Sequence, residues 1–149
     1  MPPTRSHSSP SSGLTPSAAT AARIVAALRP GAAGHALDPG LVVAPSDFVF
    51  PKSRYSAFAP GASPLEPWLA ARDIATVIVA GTITNVCCES TARDAMQRGF
   101  ETIMAGDANA ARDQAAHDAS LATFIEFFGD VLTVDAIVAL IAASARGAA

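Results

Sequence analysis

Only two cysteines occur in the chain, Cys87 and Cys88, and they are neighbours. Adjacent cysteines close no stabilising loop, and a zinc site of the C-x-x-C type is excluded. A reducing, cytoplasmic compartment is the expectation that follows. Lysine is scarcer still: of ten basic residues nine are arginine, which leaves Lys52 alone. Where arginine supplies every other cation, a single lysine raises the question of what a guanidinium could not do there, with an exposed lysine at a strand end as the bland alternative. Charged residues make up 15% of the chain, and 13 acidic against ten basic residues give a net charge of −3. The positive footprint that phosphate-backbone binding requires is missing, so no nucleic-acid partner is expected. A long apolar run is missing too: the stretch from Ile74 to Cys88 is interrupted by Gly81, three threonines and Asn85. It is too short and too polar to span a bilayer, there is no secretory apolar segment, and no membrane partner is expected.

What is present divides by composition. Residues 1 to about 22 are rich in Ser, Pro, Thr and Ala without apolar periodicity, and read as disordered. No acid precedes Asp38, which loosely resembles a transit peptide, although a plain solvated tail is the preferred reading. Arg23 to Arg29 has length for two helical turns before Pro30, Gly31 and Gly34. The organisation expected is a poorly ordered tail over residues 1–35 and one folded domain over 36–149.

Within that domain, Leu41–Val43 and Phe48–Phe50 are short apolar pieces, the second reading as a strand that delivers Lys52 at its end. Ser63-Pro-Leu-Glu66 has capping-box spacing, which predicts a helix over Pro64 to about Arg72 with Trp68 and Leu69 inward. Thr76–Ala80 is a continuous β-branched run ending at Gly81, expected to be a strand covered on both faces. A helix from about Cys87 to Arg98 stops at Gly99, and a strand covers Phe100–Ala105. A long helix, roughly Asp113 to Phe128, aligns Ala116, Leu121, Phe124 and Phe128, and a short strand over Val131–Val134 precedes a closing helix capped by Thr133 or Asp135. Strands alternating with helices at this spacing predict an α/β fold, a mainly parallel sheet layered between helices as α/β/α.

In such a fold, ligands bind beyond the carboxyl ends of the strands. Cys87 lies six residues past Gly81, at the start of the next helix, where the positive end of the helix dipole stabilises a thiolate. A small buried hydrophobe is the bland alternative for such a cysteine, and for Cys88, about 100° further round, it is the preferred one. His117, on an inward stripe, reads as a hydrogen-bonding core residue rather than a base. Glu89, Arg93 and Asp94 read as a polar helix face. No D-x-H or H-E-x-x-H pattern occurs, so neither a metal nor another cofactor is expected.

The string Gly81-Thr-Ile-Thr-Asn-Val-Cys-Cys-Glu-Ser-Thr-Ala-Arg-Asp-Ala-Met-Gln-Arg-Gly99 resembles the nucleophile segment of the isochorismatase-like cysteine hydrolases, most of all their ureidoacrylate and N-carbamoyl amidohydrolase branch. Lys52-Ser-Arg-Tyr-Ser-Ala-Phe58 resembles the same family's lysine segment, and Asp107-Ala with His117 its later strand and helix. The resemblance implies that Cys87 is the nucleophile and Lys52 the cation of a catalytic triad. It further implies an oxyanion hole from the amides of Ile83 and Cys87, and a cis peptide between Thr82 and Ile83. Tyr55 and Phe58 match positions near the family's pocket, and Asn85 has the chemistry to bind a polar substrate group; packing or capping is an equal alternative for these three. The implied reaction is thiolate attack on the carbonyl of a small-molecule amide or ureido substrate, loss of ammonia or amine, and hydrolysis of a thioester. Homodimers or tetramers are also implied.

The family's third triad member is an Asp at the end of an N-terminal buried strand, the general base. Neither Asp38 nor Asp47, the only acids before Lys52, matches it, so the domain reads as N-terminally incomplete and no base is assigned. Loss of a general base costs on the order of 10² to 10⁴ in rate. Three functions are therefore weighed: an impaired or truncated amidohydrolase, which is favoured; a non-catalytic binding or assembly module of the same fold; and a redox or soft-metal module that uses the vicinal thiols.

Overall fold

The computed structural model describes residues 17–147, in two compact units that divide between Asp47 and Phe48. In the first unit, helix α1 (Ala18–Ala27) starts at Ser17, whose Oγ accepts the Thr20 amide at 3.2 Å. This side-chain cap lets the helix take in residues 18–22, which composition assigns to the tail; the earlier part of that tail lies outside the described residues. Leu41–Val43 forms no strand, and Val42 is 96% exposed. Asp38 and Asp47 organise this stretch as turns, their carboxylates each accepting an amide at 2.8 Å, from Gly40 and from Ala44.

The second unit is built on a parallel sheet of β1 (Thr76–Thr82), β2 (Glu101–Ala110) and β3 (Asp130–Leu132), in that spatial order. The connections are helical: α3 (Glu89–Gln97) follows β1, α4 (Gln114–Phe127) follows β2, and α5 (Val134–Gly147) follows β3. Before the sheet lies α2 (Leu65–Ala70), where the Ser63 hydroxyl accepts the Leu65 amide and donates to the Ala57 carbonyl. The expected longer helix stops at Ala71, because Asp73 takes φ +52° and the chain turns into β1.

The core explains which faces meet. Val79 and Met104, paired across β1 and β2, pack against Cys88 and Ala92 on one side of the sheet and against Phe124 of α4. A second cluster joins Phe58, Leu69 and Ala95, with Val77 and Phe100 beside it. Glu89 is more than a surface charge: it accepts from Ser120 Oγ at 2.6 Å and pairs with Arg93, whose guanidinium stacks 4.0 Å over the Phe128 ring. α3 is thereby tied to α4 by a charge-assisted link rather than presenting a uniformly solvated face.

Four expectations need correction. Phe48–Phe50 forms no strand. Its aromatic rings pack locally instead, Phe48 stacking on Trp68 at 4.8 Å and meeting Phe50 at 5.0 Å. β1 is not covered on both faces: it is the outer strand of the sheet among the described residues, and Ile78 is 41% exposed. β2 runs past Ala105 to Ala110 despite Gly106 and Asp107. The pairing slips between Val79 and Gly81, and the Asn109 carboxamide spans the slip by donating to Val79 O at 3.0 Å and Ala105 O at 2.7 Å. At the end of the chain Val134 belongs to α5, not β3; its amide is held by Asp107 Oδ1 at 2.8 Å, and Thr133 Oγ1 accepts the Ala136 amide.

Candidate functional site

At the carboxyl end of β1 the backbone passes through a cis peptide between Thr82 and Ile83 and enters a single π-helical turn, Thr84–Cys88. The α-helix therefore begins at Glu89, not Cys87. Cys87 lies within the wider turn that feeds it, half-buried, at the amino-terminal end of α3. π-turns of this kind re-aim side chains relative to a regular helix and recur at functional sites. The Ile83 carbonyl accepts both the Val86 and Cys88 amides, at 3.0 and 3.3 Å, which fixes the turn.

The two sulfurs have different surroundings. Cys88 is 4% exposed within the main core, and burial pushes its thiol up to about 11. Negative charge on Cys87 raises it as well, while the Lys52 ammonium works in the opposite direction. The Lys52 charge is thus felt at Cys88. One measurable consequence is selectivity: iodoacetamide at neutral pH is expected to label Cys87 and leave Cys88 unmodified in the folded protein. Peptide mass mapping showing Cys88 labelled first would contradict this placement of the sulfurs.

Lys52 itself is carried by a loop. Its Nζ donates to the carbonyls of Arg54 and Tyr55, at 3.0 and 3.2 Å, and makes no ion pair with a carboxylate among the described residues. The loop is closed by the Ser53 amide on Ala62 O at 3.1 Å. Thr91, on α3, then joins this loop to the cysteine turn, a connection with no signal in the sequence pattern. Its Oγ1 donates to Cys87 O at 2.7 Å and accepts the Ala57 amide at 3.2 Å.

The remaining candidates separate. Tyr55 is 68% exposed beside Lys52, and Asn85 is exposed on the π-turn. Phe58 is 3% exposed in the second core cluster, tilted against Phe100 at 5.5 Å, with its carbonyl bound by Arg98 at 2.6 Å. His117 Nδ1 hydrogen-bonds the fully buried Thr84 hydroxyl at 2.9 Å and so supports the π-turn from α4. Thr91 thus joins the loop that carries Lys52 and Tyr55 to the turn that follows Ile83 and carries Asn85 and Cys87, while Phe58 goes into packing. Among the described residues no group of three or more His, Cys, Asp or Glu is arranged to hold a metal ion, and no helix is long and apolar enough to cross a membrane.

Comparison with known proteins places this arrangement in a wider set. The family model described as "Isochorismatase domain" matches residues 12–136. The ureidoacrylate amidohydrolase RutB of Methylobacterium radiotolerans is 37% identical over 123 residues, 82% of this chain and 47% of that protein. Nicotinamidase 3 of Arabidopsis thaliana is 38% identical over 96 residues, 64% of this chain and 46% of that protein. Among solved structures, a cysteine hydrolase from Pseudomonas syringae pv. phaseolicola superposes with a TM-score of 0.77 at 32% identity, covering 84% of this chain and 63% of that one. The chain spans about half the length of the curated relatives it matches.

Proposed function

The chain belongs to the isochorismatase family, and on that premise we propose that it is a cysteine-dependent hydrolase of amide or ureido carbon–nitrogen bonds in small molecules. The observation that carries this reading is the half-buried Cys87 on a π-turn at the carboxyl end of a parallel strand, tied through Thr91 to the loop that bears the chain's one lysine.

Chemistry follows from that placement. The Cys87 thiolate attacks the carbonyl carbon, and the developing oxyanion is met by the amides of Ile83 and Cys87. The carbon–nitrogen bond breaks, the nitrogen takes up a proton and leaves as ammonia or an amine, and a thioester remains; from a ureido substrate it is a thiocarbamate. Water then adds to that carbonyl, the carbon–sulfur bond breaks, and the thiol is restored. Lys52 supplies positive charge beside the sulfur and a point of attachment for the substrate's polar end. Asp38 and Asp47 cap turns, Lys52 has no carboxylate partner among the described residues, and no base is assigned to the proton transfers. Catalysis by these residues alone is expected to be slower by about 10² to 10⁴ than at a site with a base. A homo-oligomer forms part of the same reading.

The test is to incubate the protein with an N-carbamoyl or ureido acid and with nicotinamide, following ammonia release and the intact mass of the protein. Slow release accompanied by an acyl mass increment that maps to Cys87 is the expected result. Release with no adduct on Cys87 under acid quench, and at an unchanged rate after Cys87 is alkylated, would overturn the reading.

A further inference from the structure

We propose that Thr91 is a positioning residue whose single hydroxyl sets the separation between the Lys52 loop and the Cys87 turn; this rests on the reading of Cys87 as the nucleophile. A threonine hydroxyl has one proton to give and two lone pairs to receive. The proton goes to the Cys87 carbonyl, the shorter contact at 2.7 Å, and a lone pair accepts the Ala57 amide at 3.2 Å. Tyr55 O, at 3.5 Å, stands at the edge of the same hydroxyl. That carbonyl is one of the two that hold the Lys52 ammonium. A continuous path therefore runs from Nζ of Lys52 through the Tyr55–Ala57 backbone to Thr91 and on to the backbone of Cys87.

No other side chain among the described residues hydrogen-bonds both segments. Arg98 also reaches the loop, through Phe58 O, but from the far end of α3, and it has no bond to the π-turn. A threonine within a helix can return a hydrogen bond to the carbonyl four residues back, and Thr91 does so with Cys87. What sets it apart is that the oxygen also accepts from a loop 34 residues earlier in the chain. Removing the hydroxyl while keeping the shape leaves the Ala57 amide without its partner and frees the loop to drift from the sulfur. A drift of the ammonium takes positive charge away from the place where negative charge develops and slows any reaction the sulfur makes.

Four variants test this: Thr91→Val, Thr91→Ser, Lys52→Met, and Thr91→Val combined with Lys52→Met. The readout is the rate of Cys87 alkylation, with thermal melting as the measure of folding. Thr91→Val is expected to slow alkylation at pH 7 about tenfold. Thr91→Ser keeps both hydrogen bonds and stays within about threefold of the parent. In the Lys52→Met background, adding Thr91→Val is expected to slow alkylation no further, because the hydroxyl acts through the lysine. An unchanged rate in Thr91→Val, or a further tenfold loss when the lysine is already gone, would overturn the proposal. If Thr91→Val does not fold, a Thr91→Ser rate as low as that of Lys52→Met would overturn it on its own. Hydrolysis that survives Cys87→Ala would sink the nucleophile reading but leave the alkylation coupling standing, so the two failures are distinguishable.

Discussion

Cys87→Ala is expected to reduce ammonia release to the uncatalysed background, a loss on the order of 10³-fold or more, while Cys88→Ala stays within about threefold of the parent. The asymmetry has a physical basis in the two environments. Cys87 is half-buried on the π-turn beside Thr91, whereas Cys88 is 4% exposed, packs with Val79 and Phe124, and has a thiol raised to about 11. A sulfur held protonated in a core is a poor nucleophile at neutral pH. Cys87→Ser is no rescue, since a hydroxyl without a dedicated base stays protonated. Lys52→Arg is expected to fail almost as badly as Lys52→Met, because a planar guanidinium does not occupy the compact position set by the Arg54 and Tyr55 carbonyls. Steady-state ammonia release for the parent and these five variants decides the matter. Full loss in Cys88→Ala with activity kept in Cys87→Ala would reverse the assignment of the two sulfurs.

How far the sequence anticipates this site depends on the range of the interactions involved. The β1 run Thr76–Ala80 and the helix stop at Gly99 are legible, because β-branched stretches and a glycine at positive φ are local properties. The π-turn is not legible: Thr84–Cys88 reads as the first turn of an ordinary helix, and its shift depends on Ile83 accepting two amides and on His117 holding Thr84 from 33 residues away. Phe48–Phe50 fails as a strand for the complementary reason. Its residues suit a strand, yet the ring of Trp68 offers the nearer apolar partner. Thr91 sits in plain view within the recognised motif and carries no signal of its loop contact, since nothing in spacing tells that Ala57 will come to rest against it.

Gly129→Ala is expected to be the most damaging single-methyl change in the second unit, about 3 kcal/mol and roughly 10–20 °C in melting temperature. Gly129 follows α4 and precedes β3 and has no unusual φ, so conformational freedom is not the issue; the constraint is space. A Cβ there overlaps the Thr102 carbonyl oxygen of β2 and sits 3.1 Å from Cε1 of Phe124, a ring with no exposed surface. The Thr102 oxygen is backbone in the central strand and cannot rotate away. Relief requires moving the end of α4 and the start of β3 off β2, where Ile103 pairs with Asp130, and that pulls Phe124 from its contact with Val79 and Met104. Gly99→Ala is the informative control. Gly99 has φ +88° and nothing within 4 Å of an added Cβ, so it incurs only the left-handed strain of an L-residue, about 1–2 kcal/mol. Thermal melts of both variants separate the two causes. A Gly129→Ala protein that melts within a few degrees of the parent, with Gly99→Ala the less stable of the pair, would mean that backbone conformation and not the close approach to β2 limits this fold. The order predicted here is the reverse of the one a sequence suggests, because the glycine that ends a helix is visible in the pattern and the glycine pressed against a neighbouring strand is not.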